Sequence, residues 1–385
     1  MTASQKPPAR KRRARGDGSI FPVGDRWRGA VLVVDPVSGE RRRRYLSGAT
    51  ADEVRRKVNR LRDEAERGVT SAGPRLTTGA YLTTWIAAIA PTVRPSTLRG
   101  YRGNVERYWI PLVGSIPLAR LTPENVEAAM ATLTARGVGP MTLRHARATL
   151  RRALSKAGRE GLVTRNAAGL AAPVRVPAWE IQYLPADDVR RMIEATAGEE
   201  LGAAWTIAVT TGVRLGELAG LAWTDVDERA GTLRVRRALA RDAAGGWSLA
   251  EPKTTRSRRT IPLPAVARAA ITDQRIRQAA LREAAGASWQ GDVDGLMFTD
   301  SVGRAIVPTE LSRAWRQTAD RLGLGVAFRA LRHTAATLWL TSGVPLIVVS
   351  ATLGHSTIAV TAAHYAAVSP ELRAATADAM DRALR

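Results

Sequence analysis

The hydrophobic and polar positions near the N-terminus form two strand-like runs, residues 27–35 and residues 41–46. Residues 36–39, which separate the runs, combine proline, serine and glycine, so the pattern predicts a β-hairpin. Residues 50–53 then have the pattern of a helix capping box, and the helix that they begin is predicted to continue to Glu66. We expect a small basic module made of a sheet and one helix.

A helical pattern follows, from residue 77 to about residue 172, because hydrophobic residues recur there every three or four positions. Further helices are expected after Pro123 and Pro140. Residues 171–177 carry two prolines among small residues and have the composition of an interdomain linker. This stretch therefore predicts a helical bundle, and its first helix places five side chains on one face: Tyr81, Leu82, Trp85, Ile86 and Ile89.

The residues after 177 combine helical and strand patterns. A helical pattern begins at Pro185, residues 232–239 are predicted to form a strand, and residues 251–263 form a turn that returns into another strand. Helical patterns then continue towards the C-terminus, one ending at Gly343 and one at Gly354. We expect a mainly α protein with small β-sheets, of the α+β class, whose last part is a mixed α/β domain.

These patterns divide the chain into four parts. The predicted boundaries are a disordered basic tail over residues 1–15, the sheet-and-helix module over residues 16–70, the helical domain over residues 75–172 and the α/β domain over residues 178–385.

The charge of the chain points to a partner of opposite sign. The 58 Lys and Arg residues outnumber the 35 Asp and Glu residues, which leaves a formal net charge of +23 and a pI near 11.4. A GC-rich genome explains why only five of these basic residues are lysines, but it does not explain the shortage of carboxylates. We therefore expect the protein to bind nucleic acid.

Composition also excludes several classes of protein. The chain has no cysteine, so it can form neither disulfides nor cysteine-based metal sites, and its four histidines do not have the spacing of a zinc motif. We expect no metal and no cofactor. The N-terminus lacks an apolar signal segment and the chain has no long apolar run, so we expect a cytoplasmic, DNA-associated protein with no membrane partner.

Two basic residues in the α/β domain are candidates for chemistry. Arg214 is expected in a turn between two helices, where residues 210–218 read Thr-Thr-Gly-Val-Arg-Leu-Gly-Glu-Leu. Lys253 is the only lysine between Pro177 and the C-terminus. Because a lysine can release a proton when its pKa is lowered and an arginine cannot, this lysine is a candidate proton donor, although it could also be an ordinary surface residue.

The last third of the chain carries three further motifs: Leu331-Arg332-His333-Thr334, Leu353-Gly354-His355 and a threonine four positions before Tyr365. Together with Arg214 and Lys253, in this order, they resemble the tyrosine recombinase family of the phage-integrase type. The resemblance covers the region from about Trp179 to the end. The helical bundle more loosely resembles the core-site-binding domain of that family, and the N-terminal module resembles its arm-site-binding domain.

The resemblance implies a role for each of these residues. Arg214 and Arg332 would clamp the scissile phosphate, and His355 would donate a hydrogen bond to a nonbridging oxygen. Tyr365 would attack the phosphorus, and Lys253 would protonate the departing 5′ oxygen. Independently, the planar guanidinium groups of two arginines match phosphate oxygens and can stabilise a pentavalent transition state without a metal.

Three residues are expected in supporting roles. Glu217 would orient Arg214, and His364 lies next to the nucleophile. The family usually has histidine three positions before its second arginine, but this chain has Arg329 there. Because arginine stays protonated, Arg329 can contact phosphate but cannot accept a proton, so we expect a third positive contact instead of a general base.

Recombination needs four strand cuts, so the resemblance implies a homotetramer on double-stranded DNA, with accessory DNA-bending or excision factors as further partners. Two alternatives remain open at this stage. One is a type IB topoisomerase, which shares the chemistry but relaxes DNA. The other is a DNA-binding regulator that kept the fold without the activity.

Overall fold

In the computed structural model the chain folds into two compact units, residues 1–177 and residues 178–385. The expected disordered tail, residues 1–15, lies outside the described residues. The structure describes residues 19–34, 41–66, 76–177, 181–242, 244–251, 258–291, 295–355, 357–365, 380–381 and 384.

The first unit begins with an antiparallel sheet in the order β1-β2-β3, formed by β1 (Ser19–Val23), β2 (Arg26–Val34) and β3 (Arg41–Gly48). The pairing of β2 with β3 confirms the predicted hairpin, although its turn lies outside the described residues. The sequence does not predict β1, because Pro22 interrupts it. Proline cannot donate a hydrogen bond to a neighbouring strand, and β1 tolerates it as an edge strand.

Helix α1 (Ala51–Glu66) packs on this sheet, and it ends where the sequence predicts. Half of the predicted capping box is present, since the backbone N–H of Glu53 donates to the side-chain oxygen of Thr50 at 3.2 Å. The carboxylate of Glu53 accepts from the backbone N–H of Ala49, at 2.9 Å, instead of that of Thr50. Val54 and Val58 of α1 are buried against the sheet. The N-terminal module therefore has a small hydrophobic core of its own.

The rest of the first unit is helical, and helices begin at Pro123 and Pro140 as predicted. The hydrophobic core of the bundle contains the fully buried Trp109, whose indole N–H donates to the carbonyl oxygen of Ala146 at 2.9 Å. The helices are α2 (Thr78–Ile89), α3 (Pro95–Asn104), α4 (Ile110–Val113), α5 (Pro123–Ala135), α6 (Pro140–Arg159) and α7 (Ala167–Leu170).

The second unit combines helices with two small antiparallel sheets, in the orders β4-β5-β8 and β6-β7. The predicted α+β class is confirmed. Its elements are α8 (Ala186–Thr196), α9 (Gly202–Thr211), α10 (Leu215–Ala219), β4 (Val226–Asp227), β5 (Thr232–Val235), β6 (Ala238–Arg241), β7 (Trp247–Ala250), β8 (Arg259–Pro262), α11 (Ala265–Ala285), α12 (Pro308–Arg321), α13 (Arg329–Thr341), α14 (Leu346–Leu353) and α15 (Ile358–Tyr365).

One expected strand is divided. Residues 232–239 are not continuous, because β5 ends at Val235 and the next strand belongs to the other sheet. The break coincides with Arg236 and Arg237, which both donate to one carboxylate oxygen of the buried Asp225, at 2.7 Å and 2.9 Å. A buried carboxylate requires such partners, and this requirement outweighs the strand propensity of the segment.

An aromatic cluster forms the centre of the second unit. Trp205 of α9, Trp315 of α12 and Phe328 pack edge to face, with ring centroids 5.4 to 6.4 Å apart. Helix α9 also packs on α13 and α11, so it lies among several elements of this unit. Among the described helices, none is long and apolar enough to span a bilayer.

Candidate active site

Arg214 lies at the junction of two helices. Helix α9 ends at Gly212, whose left-handed backbone (φ 62°) reverses the chain, and α10 begins directly after Arg214. The backbone N–H of Arg214 donates to Oε2 of Glu217 at 2.9 Å, which caps α10. The sequence therefore folds so that one short turn places an arginine and its carboxylate partner side by side.

The guanidinium of Arg214 is held from two directions and still reaches solvent. Its Nη1 donates to Oε1 of Glu217 at 2.7 Å, and its Nη2 donates to the carbonyl oxygen of Gly354 at 3.1 Å. The side chain keeps 41% of its surface exposed. An oriented but accessible guanidinium is suited to binding an anion from solution.

Arg332 is buried in the first turns of α13, with 9% of its surface exposed. Its Nη1 donates to the carbonyl oxygen of Gly212 and its Nη2 to that of Leu353, both at 2.7 Å. The two acceptors belong to the C-terminal ends of α9 and α14, so this one side chain joins the two helix ends.

His355 follows immediately after the end of α14. Gly354 ends that helix with a left-handed backbone (φ 68°), and the backbone N–H of His355 donates to the carbonyl oxygen of Ser350 at 3.1 Å. The Nδ1 atom of His355 lies 2.7 Å from the hydroxyl oxygen of Thr361, which is buried in α15. The structure thus brings together Arg214, Arg332 and His355, which the sequence places far apart.

The only carboxylate bonded to these arginines among the described residues is Glu217, which keeps 5% of its side-chain surface exposed. Burial alone raises the pKa of Glu217. A hydrogen bond from Arg259 and the positive charges of Arg259 and Arg214 outweigh the burial and lower the pKa to about 2. Glu217 therefore stays ionised at neutral pH, as an orienting group requires.

Two further residues belong to this site: Arg259, which sequence reasoning did not identify, and Thr361, which it noted only as part of the last motif. Arg259 at the start of β8 donates from Nη2 to Oε2 of Glu217 at 2.9 Å, and Thr361 contacts His355. The sequence signal for Arg259 is its position two residues before the buried Ile261. In a strand this spacing puts both side chains on the same, inner face of β8. The signal for Thr361 is its position one helical turn before Tyr365.

The other expected site residues are placed only in part. Lys253 lies outside the described residues. The backbones of His364 and Tyr365 end α15, but their side chains are not described. Arg329 is exposed at the first residue of α13, one turn before Arg332.

The arrangement is suited to a phosphate diester. Arg214 and Arg259 share the single carboxylate of Glu217, and Arg332 is bonded to carbonyl oxygens, so the described groups of the site keep an excess of positive charge. No group of three or more His, Asp or Glu side chains in the described part of the chain could hold a metal ion. The fixed guanidinium groups can stabilise negative charge on phosphate oxygens.

Comparison with known proteins agrees with this chemistry. Residues 182–371 match the Phage integrase family. An integrase of Streptomyces ambofaciens is 30% identical over 368 residues, which cover 91% of this chain and 92% of that protein. The chain belongs to the phage integrase family. A XerC-like tyrosine recombinase of Caldanaerobacter subterraneus is 28% identical over 372 residues, covering 90% and 93% of the two chains.

Solved structures agree on the fold. The Tn1549 transposon integrase in complex with a circular intermediate DNA has a TM-score of 0.65 at 18% identity, covering 75% of this chain and 95% of that one. A lambda integrase dimer bound to a core site has a TM-score of 0.56 at 17% identity, covering 92% and 96%. This phage integrase family member is a tyrosine site-specific recombinase. These relatives give no support to the alternatives of a type IB topoisomerase or a non-catalytic regulator.

Proposed function

We propose that this recombinase cuts DNA by attack of Tyr365 on the scissile phosphorus, which leaves a 3′-phosphotyrosyl bond and a free 5′ hydroxyl. The observation that carries the proposal is the convergence of Arg214, Arg332 and His355 at the ends of α9 and α14. A phosphodiester is exchanged for another phosphate ester, so the bond energy is conserved and rejoining needs no nucleotide cofactor.

The arginines act on the phosphate oxygens. Arg214 and Arg332 stabilise the extra negative charge of the pentavalent transition state through N–H donors whose orientation is already fixed in the folded protein. Tyr365 releases its phenolic proton to solvent as it attacks, the departing 5′ oxygen gains a proton from Lys253, and Lys253 regains a proton from solvent. The step is therefore balanced in protons.

His355 donates a hydrogen bond to a nonbridging oxygen. For this role its Nε2 atom must carry a proton, and the hydroxyl of Thr361 can donate to Nδ1, so that the ring proton of the neutral imidazole sits on Nε2. Arg329 adds a positive contact beside Arg332, and His364 supports the segment that carries the nucleophile.

Double-stranded DNA is the proposed partner of both units. The helical domain over residues 75–172 binds the core site, and exposed arginines of its helix α6, such as Arg151, contact phosphates. The module over residues 16–70 reads a second site through its sheet, where Arg43 and Arg44 are exposed. The solved relatives named above were determined in complex with DNA, which supports this partner.

The proposed reaction is the integration or excision of a mobile element. It takes place in the cytoplasm on a homotetramer, because each subunit supplies one nucleophile and exchange needs four cuts. Accessory DNA-bending or excision factors assist the assembly. Sedimentation of the protein on DNA that carries two sites should show four subunits per complex, and a monomer alone would contradict the tetramer.

The test of this function is covalent trapping. The wild-type protein is incubated with nicked suicide substrates built from the sequences that flank its gene, and a covalent protein–DNA adduct is expected on denaturing gels. Tyr365→Phe should form no adduct, whereas the control Tyr183→Phe, which removes an exposed hydroxyl elsewhere in the same unit, should form it normally. An adduct that persists in Tyr365→Phe would disprove the assignment of the nucleophile.

A further inference from the structure

Arg259 is a buried cation with two acceptors from different parts of the site. Only 5% of its side-chain surface is exposed. Its Nη2 donates to Oε2 of Glu217 in α10 at 2.9 Å, and its Nε donates to the carbonyl oxygen of Thr352 near the end of α14 at 2.6 Å. Strand β8 is thereby tied to both helices that present the phosphate-binding groups.

The carboxylate of Glu217 is shared between two guanidinium groups. Oε1 accepts from Nη1 of Arg214, while Oε2 accepts from Arg259 and from the backbone N–H of Arg214. A carboxylate bonded on both oxygens cannot rotate without breaking a charged hydrogen bond. The partly exposed guanidinium of Arg214 therefore depends on Arg259 for its orientation.

We propose that Arg259 is a positioning residue that aligns Arg214 for the scissile phosphate by fixing Glu217 and the C-terminal end of α14. This inference rests on the proposed function, because it assigns Arg214 to the phosphate. Arg259 itself is too deeply buried to touch DNA and acts through its neighbours.

The location of Arg259 argues against a purely structural ion pair. A buried Arg–Glu pair adds little net stability compared with apolar packing, so its presence needs another explanation. The three elements joined here all bear on the site: α10 follows Arg214, α14 precedes His355, and β8 begins six positions after Lys253 (259 − 253). One side chain thus sets the relative positions of segments that must act together.

The test measures single-turnover cleavage of the suicide substrate at saturating protein. Arg259→Gln should slow cleavage by about 100-fold, the loss typical of a small misplacement of a catalytic group. The matched control is Arg258→Gln, since Arg258 is the neighbouring arginine but is exposed and paired with Glu251. The control should cleave at the wild-type rate.

A double-mutant cycle separates positioning from general damage to the fold. If Arg259 acts through Arg214, the double variant Arg214→Gln/Arg259→Gln should be no slower than Arg214→Gln alone. Rates that fall by the product of the two single effects would overturn the inference.

A second variant covers the case in which Arg259→Gln does not fold. Arg259→Lys keeps the buried charge but cannot reach both acceptors, and it should melt near the wild-type temperature while cleaving about tenfold more slowly, as for one lost hydrogen bond. The pH below which the cleavage rate of Arg259→Lys falls should also be higher than in the wild type. The reason is that a weaker partner allows Glu217 to protonate more easily. Arg259→Lys with the wild-type rate and pH profile overturns the inference.

Two outcomes distinguish a failure of the proposed function from a failure of the positioning role. A wild-type protein that forms no adduct with any flanking sequence overturns the proposed function, and this inference with it. An adduct in the wild type together with full activity in the Arg259 variants overturns the positioning role alone.

Discussion

Arg332 donates a hydrogen bond from Nη1 to the carbonyl oxygen of Gly212 at 2.7 Å, across 120 positions of sequence. The carbonyl oxygen of Gly212 is directed towards Arg332 because the backbone at Gly212 is left-handed, with φ of 62°. A β-carbon at this position would lie 2.6 Å from Cδ2 of Leu353, the residue whose carbonyl accepts the second hydrogen bond of Arg332. Glycine at position 212 is therefore required by both the backbone and the packing around this arginine.

Gly212→Ala should destabilise the catalytic unit by about 2–4 kcal/mol, from left-handed strain plus overpacking. Cleavage should also slow, because the carbonyl that holds Arg332 shifts. Urea unfolding and single-turnover cleavage measure the two effects. The matched control is Gly323→Ala at the end of α12, where φ is 66° but no atom lies within 4 Å of the added carbon. Equal losses of stability in both variants would contradict the packing argument.

The ionised state of Glu217 predicts how stability depends on pH. Its pKa is about 2 in the folded protein against an ordinary value of 4.5, so its contribution is complete above pH 4.5 and is lost as pH falls towards 2. Glu217→Gln should be less stable than the wild type at pH 7 and pH 5, and the difference should shrink at pH 4 and pH 3. Urea unfolding at these four pH values measures the difference. A difference that is constant down to pH 3 would show that the carboxylate does not gain its stability from the arginines.

Thr361→Val should slow cleavage by about tenfold, as expected for one lost hydrogen bond, with little change in melting temperature. The reason is that valine keeps the shape of this buried side chain but has no hydroxyl to contact Nδ1 of His355. Thr361→Ser keeps the hydroxyl and should cleave at nearly the wild-type rate. Single-turnover cleavage of all three proteins decides the point, and a fully active valine variant would refute the link to His355.

Arg329→Ala should slow cleavage by about tenfold and weaken DNA binding, because it removes one phosphate contact of the kind that contributes to salt-dependent affinity. Arg329→His should remain active, since histidine can also donate to phosphate. Cleavage rates and binding titrations at two salt concentrations measure the effects. The third-contact role is wrong if the alanine variant cleaves like the wild type or if the histidine variant is inactive.

Local patterns were sufficient to predict most of the fold from the sequence. Helix boundaries are marked by Pro123, Pro140 and Gly354, and the hairpin of β2 and β3 is marked by its turn residues. Such signals act within a few residues, so they can be recognised without knowledge of the tertiary structure.

The divided strand shows where local patterns fail. Residues 232–239 have strand propensity throughout, but Arg236 and Arg237 turn away to neutralise Asp225. This pairing depends on the burial of a carboxylate that lies 11 and 12 positions earlier. Propensity alone contains no information about that burial.

The motifs indicate which residues form the candidate site, and the sequence also pairs Glu217 with Arg214, but it does not indicate the rest of the hydrogen bonding. Nothing local in the sequence indicates that Arg259 reaches Glu217 across 42 positions, or that it shares α14 with Arg332. These contacts depend on how β8 and the two helix ends are packed, which only the folded chain determines.

The four carbonyl oxygens that hold the arginines all belong to the C-terminal ends of α9 and α14: Gly212, Thr352, Leu353 and Gly354. The macrodipole of a helix places a partial negative charge of roughly half an electron at this end. In the described part of the chain, the guanidinium groups are thus held largely by partial charges on the backbone, with Glu217 as the one acidic side chain bonded to them. Among the described residues, Glu217 is the only carboxylate bonded to these guanidinium groups, so few ionic groups there compete with the DNA phosphate for them.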